Sequence, residues 1–360
     1  MRFRPTFPIM LAADAGAAPQ ASAQASVRAT AIALEISDQF VIPAYRRLAE
    51  AAGAQADAWA AFIAERESSD IESLRRAYHD LCDAWAESQI IRTGPIVLFL
   101  GYERFAFWPD ARNGTQRALN ALIASNDPND LLPENLATNH VAGQGLTALE
   151  RLLYGGDDPE SALTAANEEA ERRATVGLAL ARNLNGIANE VLTDWTVEGG
   201  VRDMIAMGSG WNNLFADGEE AARLLLTDLV GAFRLMHDVK LLPVLGEDIE
   251  TARPLMAEAW RSARAKRNLT LNLRASRAMN DVFAQRLSEA RRAQLEDSFD
   301  ISTASIAALG EDLGDAATDP QRRAGIESAR DAIKATQLLI VDILPPDLGI
   351  TLGFNALDGD

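Results

Sequence analysis

The clearest candidate for a chemical site is a carboxylate within GQGLTALERLLYGG, residues 143–156. Thr147 and Glu150 stand three positions apart, which places both side chains on one face of a helical turn. A histidine at position 147 would complete a helical pair of metal ligands, because an imidazole nitrogen and a carboxylate oxygen would converge. Threonine offers only a neutral hydroxyl, which is a poor ligand for zinc or iron. Glu150 is therefore predicted to contact a ligand without holding a catalytic metal.

Glu150 also has a purely structural interpretation. It could form a buried hydrogen bond or an ion pair with an arginine of a facing helix. His140 lies seven residues before Thr147 and could replace the missing ligand if the helix began that early, although its position suits the helix N-terminus better. The chain has three histidines, and no two of them stand at a metal-ligand spacing.

Two further segments carry candidate binding residues. GYERFAFWPDARNG, residues 101–114, concentrates aromatic residues and charges around a proline. It is interpreted either as a helix end that plugs a bundle or as a pocket wall, in which Arg104 and Asp110 present polar groups beside Trp108. The basic segment 258–277 could hold an anion, pair with carboxylates of a neighbouring bundle, or form a solvated face. Phosphate loops, nucleophile elbows and HExxH motifs are absent from the sequence.

The elements that position these residues are predicted to be helices, because apolar residues recur at helical spacing over long segments. Pro43 predicts a kink in the first helix. The fold class is accordingly predicted as all-α, with two antiparallel four-helix bundles packed side by side. The predicted helices span about 27–52, 56–65, 71–91, a segment opening at TGP (93–95), 140–154, 160–196, 218–241, 254–284, 287–313 and 320–342.

The break GGDDP at 155–159 is the predicted domain boundary. The N-terminal bundle then covers 26–156, the C-terminal bundle 157–344, and a tail 345–360. Residues 1–25 are predicted to be a signal peptide, because two arginines precede a short apolar run and small residues suit cleavage near Ala23 or Ala25. A disordered alanine-rich tail is the alternative.

Composition limits the function classes. With 48% hydrophobic and 24% charged residues, the chain is expected to form a packed core. A net charge of −18 argues against nucleic acid or an anionic membrane as a partner. No segment beyond the N-terminus is long and apolar enough to predict a membrane span. Cys82, the single cysteine, is predicted to be a buried apolar residue.

Several of these segments occur, in the same order, in a known family. The chain resembles the imelysin-like proteins, also called peptidase family M75, through VIPAYRRLA, IIRTGP, RFAFWPDARN, VKLLPVLGED, EAWRSARAKRNL and the ending LGITLGFNALDGD. GQGLTALERLLYGG stands at the place of the family's Gly-x-His-x-x-Glu motif. Gly145 and Glu150 match that motif, whereas Thr147 replaces its histidine. Trp108 and Asp110 match the aromatic segment, while Ser262 and Arg264 match a helix containing serine and arginine.

The resemblance implies a secreted or periplasmic protein of two duplicated helical bundles, with a site near their interface. It also implies an association with bacterial iron uptake, and hence with iron or an iron chelate as ligand and with iron-uptake components of the cell envelope as partners. Three functions follow as hypotheses. The first is a non-enzymatic binding or accessory protein, the second a metallopeptidase, and the third an interaction scaffold with a vestigial site. We favour the first because Thr147 removes the motif histidine.

Overall fold

The computed structural model describes residues 17–352 apart from Glu67, Ser69, Asn126 and His140. Within that part of the chain the fold is all-α, as predicted, and contains no β-strand. The α-helices are α1 (Ala17–Ile36), α2 (Ile42–Ala64), α3 (Glu72–Ser88), α4 (Gly101–Phe105), α5 (Gly114–Ala124), α6 (Pro133–Asn139), α7 (Leu146–Tyr154), α8 (Ser161–Thr164), α9 (Glu168–Thr196), α10 (Val201–Ala206), α11 (Gly218–Arg234), α12 (Leu242–Leu245), α13 (Ala265–Ala284), α14 (Glu289–Ala307), α15 (Leu313–Ala317) and α16 (Pro320–Leu348).

Three sequence predictions fall wholly or partly outside the described residues. They concern His140, residues 1–16 of the predicted signal peptide, and residues 353–360 of the predicted tail. Among the described helices, none combines the length and the apolarity that crossing a bilayer requires.

A proline follows each of the two π-helical segments in the described part of the chain. Pro43 lies in the first turn of α2 and follows a π-helical segment, Ser37–Val41, that joins α1 to α2 without a break. Because proline has no N–H, the helix ahead of it cannot keep its regular hydrogen bonds, and a π segment accommodates the change. The second example is the π segment Leu235–Leu241, which leads from α11 into α12 at Pro243. Pro43 thus marks a π segment within one long helix.

The long helices pack against one another in pairs. α2 lies against α3 and α9, α1 lies against α11, and α14 lies against α16. Glycine makes one of these contacts close, since a Cβ on Gly177 of α9 would lie 2.4 Å from the ring of Trp59 on α2. The pairs α2–α9 and α1–α11 both cross the predicted boundary at residue 156, and the division into two domains stays a prediction.

The predicted helix over 254–284 is wrong in its first part, because α13 begins only at Ala265. Residues 254–264 instead form a loop with two short 3₁₀ turns, Pro254–Met256 and Trp260–Ser262. Ala259 and Ala263 have φ of 48° and 53°, which an α-helix cannot contain. Helical propensity alone favours a helix here, but tertiary contacts of the loop override it.

Candidate functional site

The loop 254–264 covers one end of α7 and encloses a cavity with it. The cavity has a volume of about 70 Å³, which is room for several water molecules. Its wall also includes residues of α3 and of the segment that precedes α5. The polar and aromatic residues that matter for its chemistry are Trp108, Asp110, Thr147, Glu150, Glu258 and Arg261.

Glu150 is the most buried carboxylate that faces the cavity, with 2% of its surface exposed. Its Oε1 accepts hydrogen bonds from the backbone N–H of Ser262 at 3.0 Å and from the Ser262 hydroxyl at 2.8 Å. Its Oε2 has no partner among the described residues. Burial raises the pKa of Glu150, and the two bonds from Ser262 limit the rise. One oxygen is therefore fixed, and the other is left for a ligand.

Thr147 of α7, the helix that carries the family motif, and Asp110 of the aromatic segment 101–114 form hydrogen bonds that hold the cavity wall together. The Thr147 hydroxyl donates to the carbonyl oxygen of Phe107 at 3.2 Å, which ties α7 to the aromatic segment. Asp110 accepts the backbone N–H groups of Gly114 at 2.6 Å and Thr115 at 2.9 Å. Burial acts to raise the pKa of Asp110, but these bonds and the Arg151 cation outweigh it, so the pKa is lowered. Asp110 is thus an ionised cap at the start of α5.

The loop 254–264 contacts Glu150 in a backbone conformation that is energetically unfavourable at two residues, Ala259 and Ala263. Non-glycine residues with positive φ cost roughly 1–3 kcal/mol each, and such strain is concentrated at functional sites. Ala259 and Ala263 flank the turn that points Ser262 inward. The same turn places Trp260 at the cavity rim, where the Arg261 guanidinium lies 4.1 Å from the centre of the indole ring.

Arg264 lies behind the cavity, with 1% of its surface exposed. It forms an ion pair with Asp83 and donates to Nδ1 of His79 at 2.8 Å. Because arginine is only a donor, Nδ1 must be the acceptor, and the remaining N–H of His79 donates to the Tyr154 hydroxyl at 2.8 Å. Burial and the Arg264 cation lower the pKa of His79, which keeps its ring neutral. Arg264 therefore anchors the start of α13 to α3.

Arg104 does not reach this cavity. Its Nε donates to the side-chain oxygen of Gln144 at 3.1 Å, and its Nη2 lies 3.5 Å from the side-chain oxygen of Asn183. It borders a separate surface depression together with Glu190. The structure thus brings together Glu150, Thr147, Trp108 and Asp110 around the cavity, places Ser262 and Arg264 directly behind it, and leaves Arg104 outside.

Gly145 acts through the backbone. A Cβ at this position would lie 2.5 Å from the carbonyl oxygen of Phe105 and 2.8 Å from that of Arg104. We expect Gly145→Ala to lower the free energy of unfolding by about 1–3 kcal/mol, because rigid backbone atoms would have to move. Gly186→Ala is the control, since a Cβ there meets no atom within 4 Å and α9 should gain up to about 1 kcal/mol. Urea unfolding measures both; an unchanged midpoint for Gly145→Ala would contradict the close approach.

A buried network that sequence reasoning missed lies beside the cavity. The Lys240 ammonium donates to Glu258 at 2.5 Å, to Gln89 at 2.9 Å and to Asn272 at 2.6 Å. Glu258 also accepts from Gln89 at 3.1 Å and from Asn268 at 2.9 Å. The available signal was a lysine inside the apolar run VKLLPVL, in a chain that uses lysine rarely.

The residues around Glu150 do not fit a catalytic metal. The carboxylate oxygens of Asp110 are held by backbone N–H groups, and Nδ1 of His79 is occupied by Arg264. Across the described positions, no three acidic, histidine or cysteine side chains are grouped as a metal site would require. Cys82, buried as predicted, is no substitute nucleophile, because burial raises the pKa of its thiol to about 12.

These features define an all-helical protein with a carboxylate-lined cavity beneath a strained loop. The model of the imelysin family, peptidase M75, matches residues 41–340. The chain therefore belongs to the imelysin family, which confirms the resemblance drawn from its motifs. A comparison with curated proteins found no match.

Two solved structures share the fold. An imelysin-like protein from Psychrobacter arcticum 273-4 is 19% identical with a TM-score of 0.67, over 91% of this chain and 98% of that chain. A protein described as an iron-regulated protein A precursor, from Parabacteroides distasonis ATCC 8503, is 15% identical with a TM-score of 0.69, over 90% of this chain and 95% of that chain. At these identities the likeness concerns the fold alone.

Proposed function

We propose that this chain is a non-enzymatic binding or accessory protein for iron acquisition, and that it holds a small ligand in the cavity beside Glu150. The observation that carries the proposal is the state of that carboxylate. It is almost fully buried, one oxygen is fixed by Ser262, and the other has no partner within the described part of the chain. This second oxygen faces the cavity, so a ligand that donates a hydrogen bond there would gain a charge-assisted contact in a largely dehydrated site.

The iron association and the periplasmic location are parts of the same proposal. A structural neighbour is described as an iron-regulated protein precursor, which supports both an iron context and export. The pattern of residues 1–25 supports export independently. We propose iron-uptake components of the cell envelope as partners, and iron or an iron chelate among the ligands to be tested.

A metallopeptidase function has no comparable support. Metal-dependent hydrolysis needs a metal-bound water, usually held by three protein ligands. Thr147 occupies the place of the motif histidine and donates its hydroxyl to Phe107. The neighbouring carboxylate of Asp110 serves as a helix cap.

Glu150→Gln tests the proposal with the least disturbance of shape. The amide oxygen can still accept from Ser262, while an NH₂ group replaces the free carboxylate oxygen at the cavity. Calorimetric titration with ferric salts, haem and ferric chelates should reveal at least one saturable ligand whose affinity falls roughly tenfold or more in the variant, the size of a lost charge-assisted hydrogen bond. Glu198→Gln, at an exposed position, should bind like the parent. Equal affinity of the parent and Glu150→Gln for every ligand would contradict the proposal.

A further inference from the structure

The charges that line the cavity do not all pair with one another. Asp110 lies 3.5 Å from Arg151, and Glu258 lies 2.5 Å from Lys240. Arg261 has no ion pair or side-chain hydrogen bond with any described residue, and its guanidinium is stacked over Trp260. After the paired charges are set aside, the described residues that line the cavity leave one free negative group, Oε2 of Glu150, and one free positive group, Arg261.

We infer that the cavity binds a small zwitterion, in which an ammonium group and a carboxylate are carried on neighbouring atoms, as in an α-amino acid. The inference rests on the binding function proposed above and names its ligand class. The ammonium would donate to Oε2 of Glu150, and the carboxylate would meet the guanidinium of Arg261. Arginine suits this task because its planar group matches a carboxylate with two parallel hydrogen bonds.

The surroundings disfavour a ligand with charge of one sign. A simple cation would satisfy Glu150 but would also face Arg151 and Arg261, the two cations that act electrostatically on Glu150. A simple anion would satisfy Arg261 but would approach a buried carboxylate. Opposite charges attract and like charges repel more strongly in a partly enclosed site than in water. A zwitterion can pair with Glu150 and with Arg261 at the same time.

The rim indicates what the rest of the ligand is like. Leu255 and Trp260 line the cavity with 66% and 38% of their surfaces exposed, and Met256 lines it as well. The cavity, with a volume of about 70 Å³, is partly open, so the side chain of a bound ligand could lie against these residues. An apolar side chain would cover this exposed surface, so a hydrophobic amino acid is the best probe.

The test uses the full chain and three probes of one carbon skeleton, with affinity measured by calorimetry. L-Leucine carries both charges, leucinamide keeps the ammonium without the carboxylate, and 4-methylpentanoate keeps the carboxylate without the ammonium. We expect L-leucine to bind at least roughly tenfold more tightly than either analogue, because each analogue leaves one buried or stacked charge unmatched.

Two variants test which residue binds each charged group of the ligand. Arg261→Gln should weaken L-leucine binding at least roughly tenfold, because the carboxylate loses its cation, and should strengthen leucinamide binding, because the ammonium no longer faces Arg261. Glu150→Gln should reduce L-leucine affinity to about that of 4-methylpentanoate. Arg182→Gln is the matched control, because Arg182 is exposed on α9 and does not line the cavity.

The outcomes separate this inference from the proposed function. Equal binding of L-leucine and leucinamide, or L-leucine binding that neither variant alters, would overturn the zwitterion assignment. If a ferric chelate binds in a Glu150-dependent manner while L-leucine does not bind, the proposed function stands and the zwitterion assignment is wrong. If neither class binds, both are wrong.

Discussion

Lys240→Met is expected to lower the free energy of unfolding by about 3–5 kcal/mol, because it leaves a buried carboxylate without its cation. Lys240 and Glu258 are both buried and are joined at 2.5 Å, with amide groups of Gln89, Asn268 and Asn272 completing the network. Burial alone would raise the pKa of Glu258, but Lys240 holds it below its ordinary value. Urea unfolding followed by circular dichroism measures the loss.

The same substitution at an exposed lysine is the control, because it removes a lysine without disturbing the buried network. Lys334 is exposed on α16, and Lys334→Met should change the free energy of unfolding by no more than about 0.5 kcal/mol. The double variant Lys240→Met/Glu258→Gln removes both charges and should recover part of the loss. A loss below about 1 kcal/mol in Lys240→Met would show that the pair contributes little to stability.

Asp228→Asn is expected to flatten the dependence of stability on pH between about pH 4 and about pH 7. Burial raises the pKa of Asp228 to about 7, although bonds from Thr93 and from the backbone N–H of Arg92 at 2.9 Å oppose the rise. In the unfolded chain an aspartate has a pKa of about 3.9. Over this range the native state keeps a proton that the unfolded state has lost, so the free energy of unfolding falls as pH rises.

The expected fall from this one group is up to about 4 kcal/mol, since each pH unit is worth about 1.4 kcal/mol per proton. Asparagine carries no titrating proton, so the free energy of unfolding of the variant should rise steadily relative to that of the parent as pH increases. The buried hydroxyl of Tyr45 also lies near this carboxyl but stays protonated throughout, because burial raises its pKa well above its ordinary value. Urea unfolding at several pH values gives the comparison, with exposed Asp157→Asn as control. Parallel curves for parent and Asp228→Asn would contradict the raised pKa.

The fold was largely predictable because helical periodicity is a local signal. The long helices α3 and α16 lie close to their predicted positions. The predicted helices 27–52 and 56–65 were wrong in their division, because α2 runs through residues 53–55 without a break, and the predicted helix 160–196 is divided into α8 and α9. The motif helix is shorter than predicted and begins at Leu146, because Gly145 approaches the backbone of residues 104–105 and forms its cap. That contact joins distant parts of the chain and leaves no trace in periodicity.

The candidate site was predictable only where neighbouring residues share a helix or a short segment. Helical spacing predicted that Glu150 and Thr147 share one face of a helix, and the short segment around Trp108 predicted that Asp110 lies beside it in a pocket wall. Ser262 entered only through the family resemblance, because nothing local predicts positive φ at Ala259 or Ala263. Arg261 and Lys240 were missed because their importance depends on which charges remain after pairing, and pairing is a property of the folded chain.

The unbroken path of helix from α1 through the π segment into α2 limits how the protein can move. At 1.5 Å per residue, Ala17–Ala64 forms a rod about 70 Å long, which contacts α11 through its α1 part and α9 through its α2 part. A swing of one group of helices away from the other would have to bend or melt this rod. For the ligand that we propose, entry and release would then require displacement of the loop 254–264 and not a separation of the two groups of helices.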